Sequence, residues 1–326
     1  MAVTGPVLVA GGAGYIGSHT CKLLAKARRE PVVLDDFSTG HRWAAKWGPV
    51  YDGEIEDGAL VQEIVRKHAI TDAIHFAGKI VVGESYTDPG KYFRENVGKT
   101  IRFLDALVGA RVERMVFSST AAVYGNPDVV PIRETESLKP VNPYGETKLF
   151  VERMLHWYGL AHGLKSVALR YFNAAGADPD GDLGEMHDPE THLIPLAFEA
   201  ALGKRVLDLY GSDYPTPDGT CVRDYIHVWD LARAHILSLD YLRDGGASTA
   251  LNLGTGMGQS VLDVVRAVAS ASGRDVPHVL RPRRGGDPPE LVADPALAKS
   301  VLGWSAEFRD IQRIVETGWA WHQRHA

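Results

Sequence analysis

Two hydrophobic patterns alternate through the first half of the chain. Short runs with almost no polar residue are "VLVAGG" (7–12), "PVVLDD" (31–36), "DAIHFAG" (72–78) and "RMVFSS" (114–119). Between them lie "TCKLLAKA" (20–27), "GALVQEIVRKH" (58–68) and "GKTIRFLDALVGA" (98–110), where apolar positions recur every three or four residues. The first kind predicts strands buried on both faces and the second predicts helices that cover them, so the fold class is α/β with a doubly wound parallel sheet. After residue 173 the rhythm weakens. "GADPDGDLGEMHDPE" (176–190) is rich in Gly, Pro and acids and predicts a long surface loop opening a second region. The expected division is a first domain over 1–173 and a smaller C-terminal substrate-binding α/β domain over 174–326, with segments near 224–254 returning to the first.

Composition narrows the function classes. The 326 residues are 45% hydrophobic and 23% charged, as in a soluble globular protein. A net charge of −6 argues against nucleic acid or an anionic membrane as partner. No apolar stretch approaches the roughly 18 residues a membrane span needs, and no basic targeting segment precedes the first strand, so a cytoplasmic protein is expected. Cys21 and Cys221 stand 200 positions apart, which suits two free thiols rather than a disulfide or a CxxC metal site. His187 and His192, five residues apart, do not share a helix face, and no metal site is expected from them.

"VLVAGGAGYIGSH" (7–19) places Gly11, Gly14 and Gly17 between the first strand and the first helix. Residues without a Cβ permit a tight turn there, and the free amides at the helix start can then bind a pyrophosphate. Asp35 follows at the end of the second strand, where a carboxylate accepts both ribose hydroxyls of an adenosine and repels a 2′-phosphate. The pattern therefore predicts a Rossmann-type domain that takes NAD rather than NADP. A second glycine run, "LNLGTGMGQS" (251–260), has no acidic residue at the end of a following strand and predicts a turn with Ser260 capping the next helix.

The candidate chemistry lies in "NPYGETKLFVERML" (142–155). Tyr144 and Lys148 are four residues apart on one face of a helix that follows Pro143. A tyrosine is a poor base at neutral pH, but a neighbouring ammonium favours the phenolate, and together the two make a general base. Upstream, "MVFSSTAAVYG" (115–125) ends a strand with hydroxyl residues that can reach such a tyrosine.

With these residues placed, the chain resembles the UDP-glucose 4-epimerase family of the extended short-chain dehydrogenases/reductases over nearly its whole length. The matching stretches are GGAGYIGSH, HFAG…VGES, SSTAAVYG, NPYGETK, RYFNAAGA, DYPTPDGTCVRDYIHV, NLGTG and PRRGGD, in that order. The resemblance implies that Thr120, Tyr144 and Lys148 are catalytic. It implies NAD contacts at Gly11, Gly14, Tyr15, Ile16 and Gly17, along Asp35, Asp36, Phe37, Ser38, Thr39 and Gly40, and at Glu54, Ile55, Phe76, Ala77, Gly78, Lys79, Ile80, Asn96 and Phe172. It places nucleotide-sugar contacts on Asn173, His192, Leu193, Tyr210, Arg223, Arg284, Asp287 and Leu291, with the two arginines as diphosphate clamps.

The implied reaction oxidises C4 of a UDP-hexose, turns the 4-keto sugar over and reduces its other face. UDP-glucose and UDP-galactose are the expected pair, with UDP-xylose/UDP-arabinose or UDP-N-acetylhexosamines as the alternative, and the family also implies a homodimer joined through a four-helix bundle. Two rivals are weighed. A nucleotide-sugar dehydratase carries an acidic residue just after the strand hydroxyl, where this chain has Ala121 and Ala122. A non-catalytic NAD-sensing protein would have no need of Thr120, Tyr144 and Lys148. Four positions depart from the common pattern. Glu54 and Ile55 form the acidic-Ile pair with a longer carboxylate, and the lysine of the FAG loop is shifted to Lys79. His192 replaces an Asn, and Leu291 stands where relatives carry Tyr or Cys, which suggests some tolerance of an N-acetyl group.

Overall fold

The computed structural model describes residues 5–285 and 287–325, and its strands appear in chain order as β1 (Val7–Ala10), β2 (Pro31–Asp35), β3 (Val50–Asp52), β4 (Asp72–His75), β5 (Arg114–Thr120), β6 (Lys165–Tyr171), β7 (Asn173–Ala175), β8 (Leu207–Tyr210), β9 (Val222–His227), β10 (Thr249–Leu253), β11 (Gly258–Ser260), β12 (His278–Arg281) and β13 (Glu290–Leu291). Seven of them form one parallel sheet in the order β10-β6-β5-β4-β1-β2-β3. Strand alternation splits β1 between two cores: Leu8 and Ala10 pack under the helices Gly58–His68, Lys99–Gly109 and Pro143–His162, while Val7 and Val9 pack under Tyr15–Lys26 and Val228–Arg243. Both faces are covered, which explains the near-continuous apolar runs.

The chain crosses between regions more than once. After β9 the helix Val228–Arg243 returns to the sheet, and β10 pairs with β6 from Thr249↔Val167 to Leu253↔Tyr171. Trp304 is fully buried in this same core. A separate core gathers the helices Leu193–Ala201, Val261–Ser272 and Ile311–His325, with Trp319 inside it. Beside it, β9 is flanked by β11, β13 and β7, and β8 pairs with β12. Ser260 caps the helix Val261–Ser272 in a reciprocal box with Asp263.

Sheet order decides where a ligand can sit. β1 has β2 on one side and β4 on the other, so the connections leaving its C-terminal end diverge and open a crevice. The segments after β5 and β6, and residues of β9 itself, close over the same end.

Candidate active site

A cleft of about 1000 Å³ occupies that crevice. Its floor is the glycine turn. Gly11 has φ +80°, and a Cβ on Gly17 would stand 2.1 Å from the Gly11 carbonyl oxygen, so only glycine lets the helix start this close to β1. Gly11, Gly14, Tyr15, Ile16 and Gly17 all line the cleft.

Asp35 ends β2 with its carboxylate fixed by backbone. Oδ2 accepts from Ala13 N and Oδ1 from Phe37 N, both at 2.9 Å. Burial raises its pKa, and those two amide donors oppose the rise. Asp36, Ser38, Thr39 and Gly40 continue the wall, whereas Phe37 stands off it, with its ring 4.0 Å from the Arg42 guanidinium. Glu54 and Ile55 also line the cleft, and Lys99 Nζ donates to Glu54 Oε2 at 2.7 Å. The FAG loop brings Phe76, Ala77, Gly78, Lys79 and Ile80 to the wall. Asn96 lies behind that loop: its Oδ1 accepts from Lys79 N at 2.7 Å and its Nδ2 donates to Lys79 O at 3.0 Å. Asn96 therefore sets the loop's path from outside the cleft.

The Tyr144 helix starts on Asn142, whose Oδ1 accepts from Gly145 N at 2.8 Å, with Pro143 in the first turn. Gly145 packs on the turn after β5, where a Cβ would meet Ala122 O at 2.7 Å. That close approach brings Tyr144 to Thr120. Thr120 Oγ1 accepts from Ala122 N at 3.1 Å, and Thr120 and Tyr144 both line the cleft. Burial pushes the Tyr144 phenol up, and the nearby Thr120 hydroxyl acts in the opposite direction. Lys148 is buried behind the cleft wall. Its Nζ donates to Ser118 O at 2.9 Å and lies 5.9 Å from the Tyr144 ring centroid, and burial pulls its pKa down to about 8. The shared helix face thus puts the ammonium near the tyrosine ring, while its hydrogen bond goes to the strand.

The opposite wall collects residues that are far apart in the chain. Phe172, Asn173, His192, Leu193, Tyr210, Arg223, Arg284, Asp287 and Leu291 all line it. Arg223 Nη1 donates to Val222 O at 2.8 Å and Pro288 O at 3.0 Å, and Arg284 stacks 3.9 Å over the Tyr210 ring. Both guanidinium groups are held in place with donors to spare.

Comparison with known proteins turns this geometry into a family assignment. Residues 7–254 match the model of the NAD dependent epimerase/dehydratase family. The chain belongs to this family. It is 49% identical over 321 residues to the UDP-glucose 4-epimerase of Lacticaseibacillus casei, covering 98% of this chain and 97% of that one. The crystal structure of UDP-glucose 4-epimerase from Brucella ovis in complex with NAD superposes with a TM-score of 0.95 at 53% identity, covering 97% of this chain and 98% of that one. The enzyme from Bifidobacterium longum in complex with NAD+ and UDP gives a TM-score of 0.93 at 37% identity, with 98% of each chain covered.

Three further residues, Ser118, Glu185 and His187, line the cleft without an expected role there; Ser118 meets Lys148 through its backbone oxygen, which no side-chain motif announces. His187 and His192 do come together despite their spacing, their ring centroids 5.2 Å apart, because the segment is a loop and helix-face arithmetic does not apply. Asn142, by contrast, was open to recognition as a cap before Pro143.

Proposed function

We propose that Tyr144 is the acid/base of a UDP-hexose 4-epimerase, with Thr120 as its hydrogen-bond donor and Lys148 as the cation beneath it. The reaction is the interconversion of UDP-glucose and UDP-galactose, and the cofactor is NAD. The glycine turn fits that cofactor: the Gly11–Gly17 approach leaves no space for a Cβ, and the amides of the helix start face the cleft where a diphosphate would lie. The fixed Asp35 carboxylate suits an unphosphorylated ribose.

When bound, NAD supplies the acceptor and the donor for the hydrogen on the sugar C4. Tyr144 takes the proton of the 4-hydroxyl as C4 is oxidised and returns it to the oxygen when the opposite face is reduced, so proton and electron pair both balance over the cycle. Thr120 keeps the phenol oxygen aimed at that hydroxyl. The sugar must turn between the two half-reactions, so binding energy has to come from the UDP part. Arg223 and Arg284 supply charge for the diphosphate, and Asn173, Leu193, Tyr210 and Asp287 the remaining contacts. One observation carries the reading: Thr120 and Tyr144 line the same cleft as the glycine turn. Incubation with UDP-galactose should yield UDP-glucose without added dinucleotide, and denatured protein should release NAD. Absence of conversion by protein that still carries NAD would overturn the assignment.

The protein is proposed to be a homodimer. The Tyr144 helix leaves Phe150, Trp157 and Leu160 exposed to 47%, 66% and 66%, and the neighbouring helix leaves Ile101 exposed. Such an apolar strip suits pairing of these two helices with their copies about a two-fold axis, forming a four-helix bundle. Among the described residues no helix is long and apolar enough to cross a membrane. A cytoplasmic location is proposed on the unpaired, buried Cys21 and Cys221.

A further inference from the structure

We propose that Glu185, His187, Glu190 and His192 form a binding site for a divalent transition-metal ion of the zinc type. One ligand atom from each residue lies within 4.8 Å of all the others. His187 Nδ1 stands 3.4 Å from Glu185 Oε1 and 3.6 Å from Glu190 Oε2, and His192 Nδ1 stands 3.7 Å from Glu190 Oε1. Ligands bound at 2.0–2.1 Å in a tetrahedron lie about 3.3–3.4 Å from one another, which the His187–Glu185 distance already matches; the two Glu190 distances reach its two different carboxylate oxygens, one of which would serve as the ligand. The fourth, His192 Nδ1 to Glu185 Oε1 at 2.5 Å, is a hydrogen bond that must open by under about 1 Å to admit an ion between its partners. His192 is half exposed and can swing to allow it.

The donor set also matches the charge. Two carboxylates balance a divalent cation, and two imidazole nitrogens with two oxygens form a set that zinc, cobalt or nickel accepts and calcium does not. Glu185 and Glu190 keep side chains only 7% and 9% exposed, so their charges are largely withheld from water and require positive partners. His187 Nδ1 is buried and lies within ion-pair distance of both carboxylates. A bound ion would take the place of its proton between them. All four residues lie within eight positions of one loop leading into the helix Leu193–Ala201. Metal binding would therefore tie the loop to the helix start and hold the His192 ring through Nδ1, leaving Nε2 for the cleft.

The test is a cobalt titration of chelator-treated protein. The expected result is saturable uptake of one ion per chain with the visible bands of tetrahedral Co2+, displaced by added zinc, and a higher Tm in zinc than in chelator. E190Q and H187A should each weaken binding by at least about tenfold. Y144F, which leaves the four ligands intact, should bind cobalt like the parent protein. Circular dichroism and retained NAD verify that the variants are folded. No saturable spectrum, or the same affinity in the folded E190Q and H187A proteins, would overturn the site.

Discussion

At the scale of single residues, function rests on where a few polar atoms are held. Tyr144 and Thr120 both line the cleft, and replacing the tyrosine by phenylalanine removes one oxygen atom from it. Tyr144→Phe should lower kcat by about 100-fold or more, the scale of a positioned general base, while the Kd for UDP measured by calorimetry stays within about twofold. Near-normal turnover would remove Tyr144 from the chemistry. Leu291 is a different kind of residue, since it lines the cleft beside Phe172 and acts only by its shape. Replacing it with tyrosine narrows the pocket. Hydrophobic walls discriminate by roughly 1–3 kcal/mol per small misfit, so Leu291→Tyr should cut kcat/KM for UDP-N-acetylglucosamine about tenfold relative to UDP-glucose. An unchanged ratio would show that this wall does not meet the sugar.

Elements position those residues through a few close approaches. The Tyr144 helix can seat on the turn after β5 only because Gly145 has no Cβ; an alanine would place one 2.7 Å from Ala122 O, a backbone atom that cannot move without moving Thr120. Gly145→Ala should therefore reduce kcat by about 10- to 100-fold while Asp35 and the glycine turn keep NAD bound, because displacement of an acid/base by about 1 Å is enough for such a loss. Full activity in the alanine variant would mean that the helix and turn adjust together at no cost. The outer face of the same helix carries the exposed strip of Phe150, Trp157 and Leu160. Trp157→Glu puts a charge in that strip and should convert a dimeric mass in light scattering to a monomeric one. A parent protein that is monomeric at micromolar concentration would overturn the dimer, and a Trp157→Glu protein that stays dimeric would place the interface elsewhere.

For the molecule as a whole, buried histidines tie stability to pH. Burial depresses His19 and His235 to about 4 and His75 and His227 to about 3, against an ordinary value of 6.5. In the unfolded chain these groups bind protons below about pH 6.5, whereas in the folded protein they stay neutral. Their contribution is complete above pH 6.5 and is lost as the pH falls toward the folded values, by up to about 1.4 kcal/mol per pH unit for each histidine. His187 has the opposite sign. Burial alone would lower it, but the carboxylates of Glu185 and Glu190 raise it to about 10, so its contribution is present below pH 6.5 and fades as the pH rises toward that value. Denaturant melts at pH 7 and pH 5 should show a steep loss of stability on the acid side. Equal midpoints at the two pH values would contradict four buried neutral histidines.

Much of this was legible in the chain because it depends on neighbours in sequence. The alternation of apolar runs and helical spacing dictates a covered parallel sheet. The Gly11–Gly17 turn follows from a strand meeting a helix with no space for a Cβ, and the Asn142 and Ser260 caps follow from side chains that reach amides three residues on. Tyr144 and Lys148 were visible for the same reason, through one turn of helix. Only the tertiary structure decided that Lys148 donates to the Ser118 carbonyl, that β10 joins β6, and that residues between Asn173 and Leu291 line the same cleft as Tyr144. It also decided that His187 and His192 meet over Glu185 and Glu190. Contacts of this second kind join positions whose separation along the chain carries no geometric information; they are set when the packing of two cores brings loop and strand ends together, and no local spacing encodes that path.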